Sequence, residues 1–329
     1  MRGAAGLLLV LLLLGAPAGA AGPSFGLPVD CTPGRDCWVQ NYLDVDPGPD
    51  TADYACGRAA YDGHTGTDFA LRDRAAMRAG VPVIASAAGR VLRTRDGEAD
   101  FAFKGDRNAV KGRECGNAVV IDHGGGWETQ YCHLKRGSLA VRPGQQVAAG
   151  ARLGAVGQSG LAEFPHVHLT IRHAGKVVEP FRGLSGAPAC GLGPEPLWSP
   201  AILPALAYGP ALFAAGITDS EPRVEEIEEG QHRQPTLARS ARLLIVWMRA
   251  MGVAPGDRID FALVDPQGRA LLAKDATEER HRARSFRYVG LRRPAAGWPA
   301  GSYRATITLS RSAGPGAGTW TLPVEVTLR

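Results

Sequence analysis

Two short strings about a hundred residues apart constrain this chain more than anything else in it: His64-Thr-Gly-Thr-Asp68 and His166-Val-His168. Three nitrogen or oxygen ligands with a fourth position open describe a catalytic zinc site, whereas a closed structural site wants four ligands, usually with Cys among them. His166-Val-His168 runs into Leu169-Thr-Ile-Arg172, a β-branched stretch that reads as a strand. Residues i and i+2 of a strand face the same side, so both imidazoles can approach one ion or one substrate. His64 and Asp68, at i and i+4, also share a face of an extended segment, and Gly63 and Gly66 oppose a helix there while permitting close backbone approach. A single His-x-His is common on surface strands. The upstream His-x3-Asp turns the pattern toward a metal centre and a hydrolase.

The N-terminal residues set the compartment. Met1-Arg2 supplies a positive start, Leu7 to Leu14 an apolar run, and Ala18-Gly-Ala20 small residues for cleavage, which together predict a secretory signal peptide over residues 1–20. That run is too short to span a membrane, and the apolar stretch from Leu203 to Ile217 is broken by Pro204, Gly209, Pro210 and Gly216, so no transmembrane segment is expected. The mature chain is expected to be exported, to the periplasm or beyond. Six cysteines, all within the first 190 residues, fit an oxidising compartment and disulfides. Of the fifteen possible pairings, Cys31–Cys37 is read as a local pair; a Cys-ligated zinc site would want a Cys-x2-Cys pair that the sequence lacks. A net charge of +5 and a pI near 9.0 suit the anionic surroundings of a cell wall without requiring them, and nothing points to nucleic acid.

With 43 Gly and 24 Pro, turns and short strands dominate over long helices. From Gly80 to Glu179, β-branched runs alternate with glycine turns, and Asp122-His-Gly-Gly-Gly-Trp127 has hairpin composition. Only Asp73 to Ala79 has room for a short helix, and Arg93 to Glu114 reads as a long loop of the functional kind. Beyond a linker over residues 190–217, recurrent short alternating strands predict an immunoglobulin-like β-sandwich at 218–329. The reading is therefore all-β, with residues 21–189 the metal-bearing domain. In the second domain Arg280, Arg282 and Arg284 would share one strand face, as an anion grip or, more commonly, a solvated edge; Glu225 to Glu229 reads as a solvated acidic segment. His123 and His173 are assigned to solvent.

Over about residues 60–182 the sequence resembles the lysostaphin-type zinc metallopeptidases, which are peptidoglycan endopeptidases or murein hydrolases. The likeness rests on five segments in order: Gly63-His64-Thr-Gly-Thr-Asp68-Phe-Ala70, Gly80 to Val91, Gly116-Asn-Ala-Val-Val-Ile-Asp-His-Gly124 with Tyr131-Cys-His133-Leu134, Val141 to Gly157, and Pro165-His166-Val-His168-Leu169. The resemblance implies a β-sheet peptidase fold of the duplicated hybrid motif kind, Zn2+ held by His64, Asp68 and His168, and two non-ligand catalytic histidines, His133 and His166. It implies peptide stems of peptidoglycan as substrate. Zinc would lower the pKa of a bound water to about 7, and the two histidines would move protons or bind the oxyanion. Departures lie in Gly157-Gln-Ser-Gly-Leu-Ala-Glu-Phe-Pro165, which puts Glu163 and Phe164 near the cleft, in the long Arg93 to Glu114 loop, and in the segment from Asp30 to Tyr61. The alternative is a non-catalytic wall-binding or regulatory module that activates another hydrolase; relatives of that kind lack several ligands, while all are present here. On either reading the sandwich would bind the wall or a protein partner, by fold-level analogy.

Overall fold

The computed structural model describes residues 22–185, 190–231 and 234–329, so the expected signal peptide lies outside the described residues. The first half is built on one antiparallel sheet. Its strands are β1 (Cys37–Asn41), β2 (Thr67–Leu71), β4 (Gly89–Arg95), β5 (Asn117–Gly124), β6 (Trp127–Leu134), β7 (Gln146–Val147) and β9 (His166–His173). They lie in the order β1-β2-β9-β6-β5-β4-β7, with β10 (Lys176–Val177) on the free edge of β9. A two-stranded sheet of β3 (Pro82–Ile84) and β8 (Arg152–Ala155) closes over one face. Alternation decides which face is which. Val167, Leu169 and Ile171 join Val119, Ile121 and Tyr131 in the core, together with Val83 and Leu153 from the small sheet. Their neighbours His166, His168, Thr170 and Arg172 are thereby turned to the other side. The short helix α1 (Arg74–Ala79) forms where a capping residue precedes it: Asp73 accepts from the Ala76 amide at 2.9 Å.

Three disulfides staple this half: Cys31–Cys37, Cys56–Cys190 and Cys115–Cys132. The local pair is the one read from spacing; the other two join residues far apart in sequence or across neighbouring strands. All six cysteines are consumed, as suits an oxidising compartment. No helix among the described residues is long and apolar enough to cross a membrane.

A carboxyl buried beside an aromatic cluster gives this half a pH-dependent stability. Glu179 is 8% exposed, and its pKa is pushed up to about 8 by burial, which the Arg182 and Phe181 amides offset only in part. Below about pH 4.5 the carboxyl is protonated both folded and unfolded. Between there and about 8 the unfolded chain has released a proton that the folded chain keeps, so stability falls as pH rises across that window. Each unit corresponds to about 1.4 kcal/mol. Glu179→Gln is therefore expected to raise the melting temperature above that of the wild type near pH 8.5, and to leave it little changed near pH 4.5, in calorimetry across that range. An equal gain at both ends would contradict the burial argument.

The second half is a sandwich of two sheets. Its strands are β11 (Ala211–Thr218), β12 (Thr236–Leu237), β13 (Leu243–Val253), β14 (Arg258–Val264), β15 (Ala270–Thr277), β16 (Arg282–Arg292), β17 (Gly301–Arg311) and β18 (Gly318–Leu328). One sheet runs β11-β13-β16 and the other β12-β18-β17-β14-β15. Leu244, Val246, Met248 and Ala250 of β13 meet Ile259, Phe261, Leu263, Ile307 and Leu309 in the shared core. The alternate residues of β13 are buried too: Trp247 and Met251 pack with Phe213, Ala214 and Ile227 against Trp38, Ala70 and Phe164 of the first half. A strand covered on both faces reads as an unbroken apolar run, and Leu243 to Met248 is one.

Several local expectations change. The linker read over 190–217 ends in strand β11, because Leu212 and Ile217 are drawn into the sandwich core, which outweighs the helix- and strand-breaking Gly and Pro before them. The stretch from Arg93 to Glu114 is strand up to Arg95 and holds a 3-10 turn at Arg107–Val110. The acidic segment is not a solvated run: it forms helix α2 (Val224–Glu228), whose Ile227 is buried between the halves. Its carboxylates are answered, Glu229 across the interface by Arg74 at 2.9 Å and Arg78 at 2.7 Å, and Glu228 within the second half by Arg249 at 2.9 Å. Of the three alternating arginines, Arg280 is exposed and precedes the strand, but Arg282 pairs with the buried Glu278 and Arg284 lies in the interface, so the three do not form one solvated edge. His123 and His173 are half-buried rather than solvated, the first bonded to Ala88 O and Thr129, the second against the Trp127 ring at 4.5 Å.

Candidate metal centre

Register brings the two sequence strings together. In the β2–β9 ladder Asp68 stands opposite His168, and His64 precedes β2 in the loop that leads into it. Gly66 lets this happen at close range: a Cβ there would meet Leu169 O at 2.5 Å and His168 Nε2 at 2.7 Å. Three ligand-type atoms then converge. His64 Nε2 lies 3.2 Å from Asp68 Oδ1, His168 Nδ1 lies 2.9 Å from the same oxygen, and the two nitrogens are 3.0 Å apart. A tetrahedral zinc with bonds of about 2.0–2.2 Å would set its ligand atoms about 3.3–3.5 Å from one another. The observed triangle is within a few tenths of an ångström of that, and all three residues are buried or nearly so. The only other such cluster among the described residues, Cys31, Asp36 and Cys37, has both its thiols in a disulfide.

Neighbouring groups fix which atom of each residue faces the centre. His64 Nδ1 donates to Tyr42 O at 2.6 Å, leaving Nε2 free to ligate, and His168 Nε2 is held by Thr170 Oγ1 at 3.0 Å, leaving Nδ1 free. Asp68 receives the Asn41 amide on Oδ2 at 2.8 Å, so Oδ1 is the oxygen turned to the centre. Asn41 reaches it because β1 carries a bulge between Val39 and Asn41. Nothing in the local sequence marks Asn41, which lies 27 residues from Asp68. Outer-shell partners of metal ligands typically tune affinity by about 10–100-fold, so Asn41→Ala is expected to lower zinc affinity by roughly that factor in chelator competition, with the fold retained. An unchanged affinity would remove Asn41 from the site.

His133 and His166 join the same centre by different routes. His166 follows the strand alternation two residues ahead of His168. His133 does not: it follows Cys132, which stands opposite His168, so alternation would send its ring to the core face. A left-handed backbone at φ 65°, uncommon for a residue with a Cβ, turns it back toward the metal side. The two rings lie 4.6 Å apart. Each donates Nδ1–H to a backbone carbonyl at 2.8 Å, His133 to Ser159 and His166 to Phe164, so each presents a basic Nε2. His166 Nε2 is 3.7 Å from Asp68 Oδ1.

The charge states follow from burial against this one carboxylate. Burial opposes ionisation of Asp68, yet the charges of His64 and His166 and the hydrogen bonds from His168 and His64 hold it well below the usual carboxylate range. Burial lowers His133 strongly, aided by His166 and His168, and lowers His166 and His168 as well. In His64 burial is outweighed by the charge and hydrogen bond of Asp68, and the net shift is upward. The site therefore offers one anion and, in His133, His166 and His168, imidazoles that burial holds toward the neutral form, with His64 drawn toward Asp68; nitrogen and carboxylate donors of this kind suit a divalent cation of borderline softness.

Tyr61 escaped the sequence reading, whereas Phe164 is a residue it placed near the cleft. The Tyr61 ring covers His64 at 4.4 Å. Phe164, which packs on His166 at 4.5 Å and whose carbonyl accepts the His166 Nδ1–H hydrogen bond, is itself capped by Arg284 of the sandwich, whose guanidinium sits 3.8 Å from the ring centroid. Arg284 is anchored by Gln40 of β1 at 2.8 Å and lies 3.7 Å from Glu228. The second half thus stands directly behind one histidine of the centre.

With this geometry in place, known proteins give a consistent match. Peptidase family M23 matches residues 62–180. The peptidoglycan DD-endopeptidase ShyA of Vibrio cholerae is 35% identical over 115 residues, which cover 35% of this chain and 21% of that protein. The DD-carboxypeptidase/endopeptidase Mpg of Neisseria meningitidis is 36% identical over 117 residues, covering 36% of this chain and 22% of that protein. The chain thus spans about a fifth of the length of these relatives. Among solved structures, a variant catalytic domain of the prophage-encoded M23 protein EnpA from Enterococcus faecalis aligns at 24% identity and TM-score 0.33, over 51% of this chain and 100% of that one.

Proposed function

We propose, from the peptidase family M23 domain that residues 62–180 form, that this protein is an exported zinc endopeptidase cutting peptide cross-links of peptidoglycan. The observation that carries the reading is the convergence of His64 Nε2, Asp68 Oδ1 and His168 Nδ1 beside two histidines whose Nε2 atoms are free. The substrate class comes from the name of ShyA, a peptidoglycan DD-endopeptidase, beside that of Mpg, a DD-carboxypeptidase/endopeptidase. The three disulfides fit a periplasmic or extracellular setting. The division that goes with it is a peptidase unit up to about residue 189 and a sandwich whose first strand is β11.

Zinc held by His64, Asp68 and His168 would supply an activated water and polarise the scissile carbonyl. The chain's own part is proton handling and exclusion of bulk water. The Nε2 atoms of His133 and His166, neutral at physiological pH because their burial opposes charge, can each take a proton at that atom. Their Nδ1–H bonds to Ser159 O and Phe164 O prevent the ring from flipping the basic nitrogen away. Once protonated, either ring becomes a donor to the leaving amine or to the oxyanion. Asp68, 3.7 Å from His166 Nε2, favours the imidazolium at that position.

The direct test is digestion of cross-linked muropeptides by the full-length protein, with and without zinc. Cross-linked species are expected to disappear with one zinc bound, to persist after chelation, and to disappear again on zinc return. A zinc-loaded protein that leaves them intact, or cleavage that survives full removal of metal, would overturn the reading.

A further inference from the structure

The sandwich covers part of the sheet face that carries the metal centre. Trp38 of β1 stands opposite Ala70 of β2, and Ala70 opposite His166 of β9, so the three form one row on one face. The neighbouring row on that face holds Asn41, Asp68 and His168. Phe213, Trp247 and Met251 of the sandwich pack on Trp38, Ala70 and Phe164. Beside them Arg284 of β16 lays its guanidinium against two rings, 3.8 Å from the Phe164 centroid and 5.7 Å from that of Phe213. Its Nε–H donates to Gln40 Oε1 of β1 at 2.8 Å.

Phe164 depends on side-chain contacts for its place. In the segment leading into β9 the Ala162 carbonyl accepts from Phe103 N at 3.0 Å and the Pro165 carbonyl from Leu71 N at 2.9 Å. Between them, and among the described residues, neither Glu163 nor Phe164 forms a hydrogen bond from main chain to main chain. The Phe164 carbonyl is bonded to the His166 ring at 2.8 Å, and what fixes that carbonyl is the ring of its own residue, packed on His166 and capped by Arg284. The matching acceptor for His133 differs. Ser159 is tied down by its own hydroxyl, which accepts from Asn117 N at 2.9 Å and donates to Leu134 O at 2.8 Å.

Stability does not account for Arg284. Its carboxylate partner, Glu228 at 3.7 Å, is shared with Arg249 at 2.9 Å and Arg74 at 3.7 Å. Burial and the charge of Arg249 lower its pKa to about 9, against the pull of Glu228 and Glu163. Replacing buried ionic groups of this kind by apolar side chains of similar volume is often neutral for folding.

We propose that Arg284 is a positioning residue for the reaction: by capping Phe164 it fixes the carbonyl that holds His166 Nδ1–H, and so aims His166 Nε2 at the metal centre. This rests on the endopeptidase reading and gives the second half a part in the chemistry of the first. Arg284 acts through Phe164, not on the reacting atoms. A cation over an aromatic face is held most firmly where water is excluded, as at this interface. Misplacing a catalytic group by about 1 Å can cost about 10²-fold in rate.

The experiment uses the full-length zinc-loaded protein, Arg284→Met, which keeps side-chain bulk without the charge or the planar cap, Phe164→Leu, and the double variant. The readouts are kcat and KM on a cross-linked muropeptide, bound zinc, melting temperature, and the Nδ1–H proton signals of isotope-labelled histidines. Arg284→Met is expected to keep its zinc and to melt close to the wild type. Its kcat should fall by about 10- to 100-fold with KM little changed, and the Nδ1–H signal of His166 should broaden or vanish while that of His133 stays. Phe164→Leu should behave alike, and the double variant should lose no more than the worse single one, since residues acting through one contact are not additive. An unchanged His166 signal, additive losses, or turnover lost only in step with zinc or folded protein would overturn the proposal. If the wild type cleaves nothing, the His166 signal in Arg284→Met still decides the positioning role, and the endopeptidase reading alone falls.

Discussion

His168→Ala is expected to fold, to bind no zinc and to lose cleavage of cross-linked muropeptides entirely, while His166→Ala and His133→Ala keep their zinc. The asymmetry follows from which atoms converge. His168 Nδ1 is one corner of the ligand triangle, 2.9 Å from Asp68 and 3.0 Å from His64. With that corner gone, two protein ligands remain, fewer than a catalytic zinc site uses. His133 and His166 contribute no atom to the triangle. Their loss should remove proton transfer alone, at about 10²–10⁴-fold in turnover, with KM little affected. Metal analysis beside kinetics separates the classes. Zinc retained by His168→Ala, or lost from His166→Ala, would reverse the assignment of ligand and proton carrier within the His-x-His pair.

The second large effect is on stability. Replacing both Cys56 and Cys190 by Ser is expected to lower the unfolding free energy by about 4–5 kcal/mol, the chain-entropy estimate for a long closed loop. The bond joins residues separated by 134 positions and so encloses every strand of the metal-bearing sheet except β1. It also ties the start of the chain to the segment after β10, where Tyr54 stacks on Phe181 with centroids 4.3 Å apart and Tyr42 meets both rings. By the same argument Cys31–Cys37, spanning six residues, is worth only about 2 kcal/mol. Urea denaturation of the two double-Ser variants measures the difference. A loss below about 1 kcal/mol for Cys56–Cys190 would mean that the aromatic cluster holds the ends together unaided.

The ligand triad was legible because its members belong to two local patterns, and local patterns survive into any fold that keeps the strands. The strand of His166 and His168, the Asp68 segment, the Asp73-capped helix and the local Cys31–Cys37 bond needed only alternation, capping and spacing. His133 was reachable solely through family likeness, since it occupies the site against strand alternation by means of its positive φ. Asn41 and Arg284 gave no local signal, since each acts on a residue far away in sequence. The segments misjudged as solvated fail for one reason. Glu225 to Glu229, and Arg282 and Arg284 of the alternating arginines, are charged, and charge reads as exposure until the opposite charge is found on another element.

The sequence by itself determined an all-β chain, with candidate metal ligands Asp68 and His168 on strands, His64 just ahead of one, and a β-sandwich following, because side-chain alternation and turn chemistry act over a few residues. Only the tertiary structure decided that the sandwich packs behind His166 through Phe164 and Arg284, and that Asp68 comes to stand opposite His168. Those arrangements depend on strand order and register between segments 100 or more residues apart, such as Asp68 and His168 or Gln40 and Arg284. No local preference encodes such pairings; they follow from which buried surfaces fit together once the strands exist.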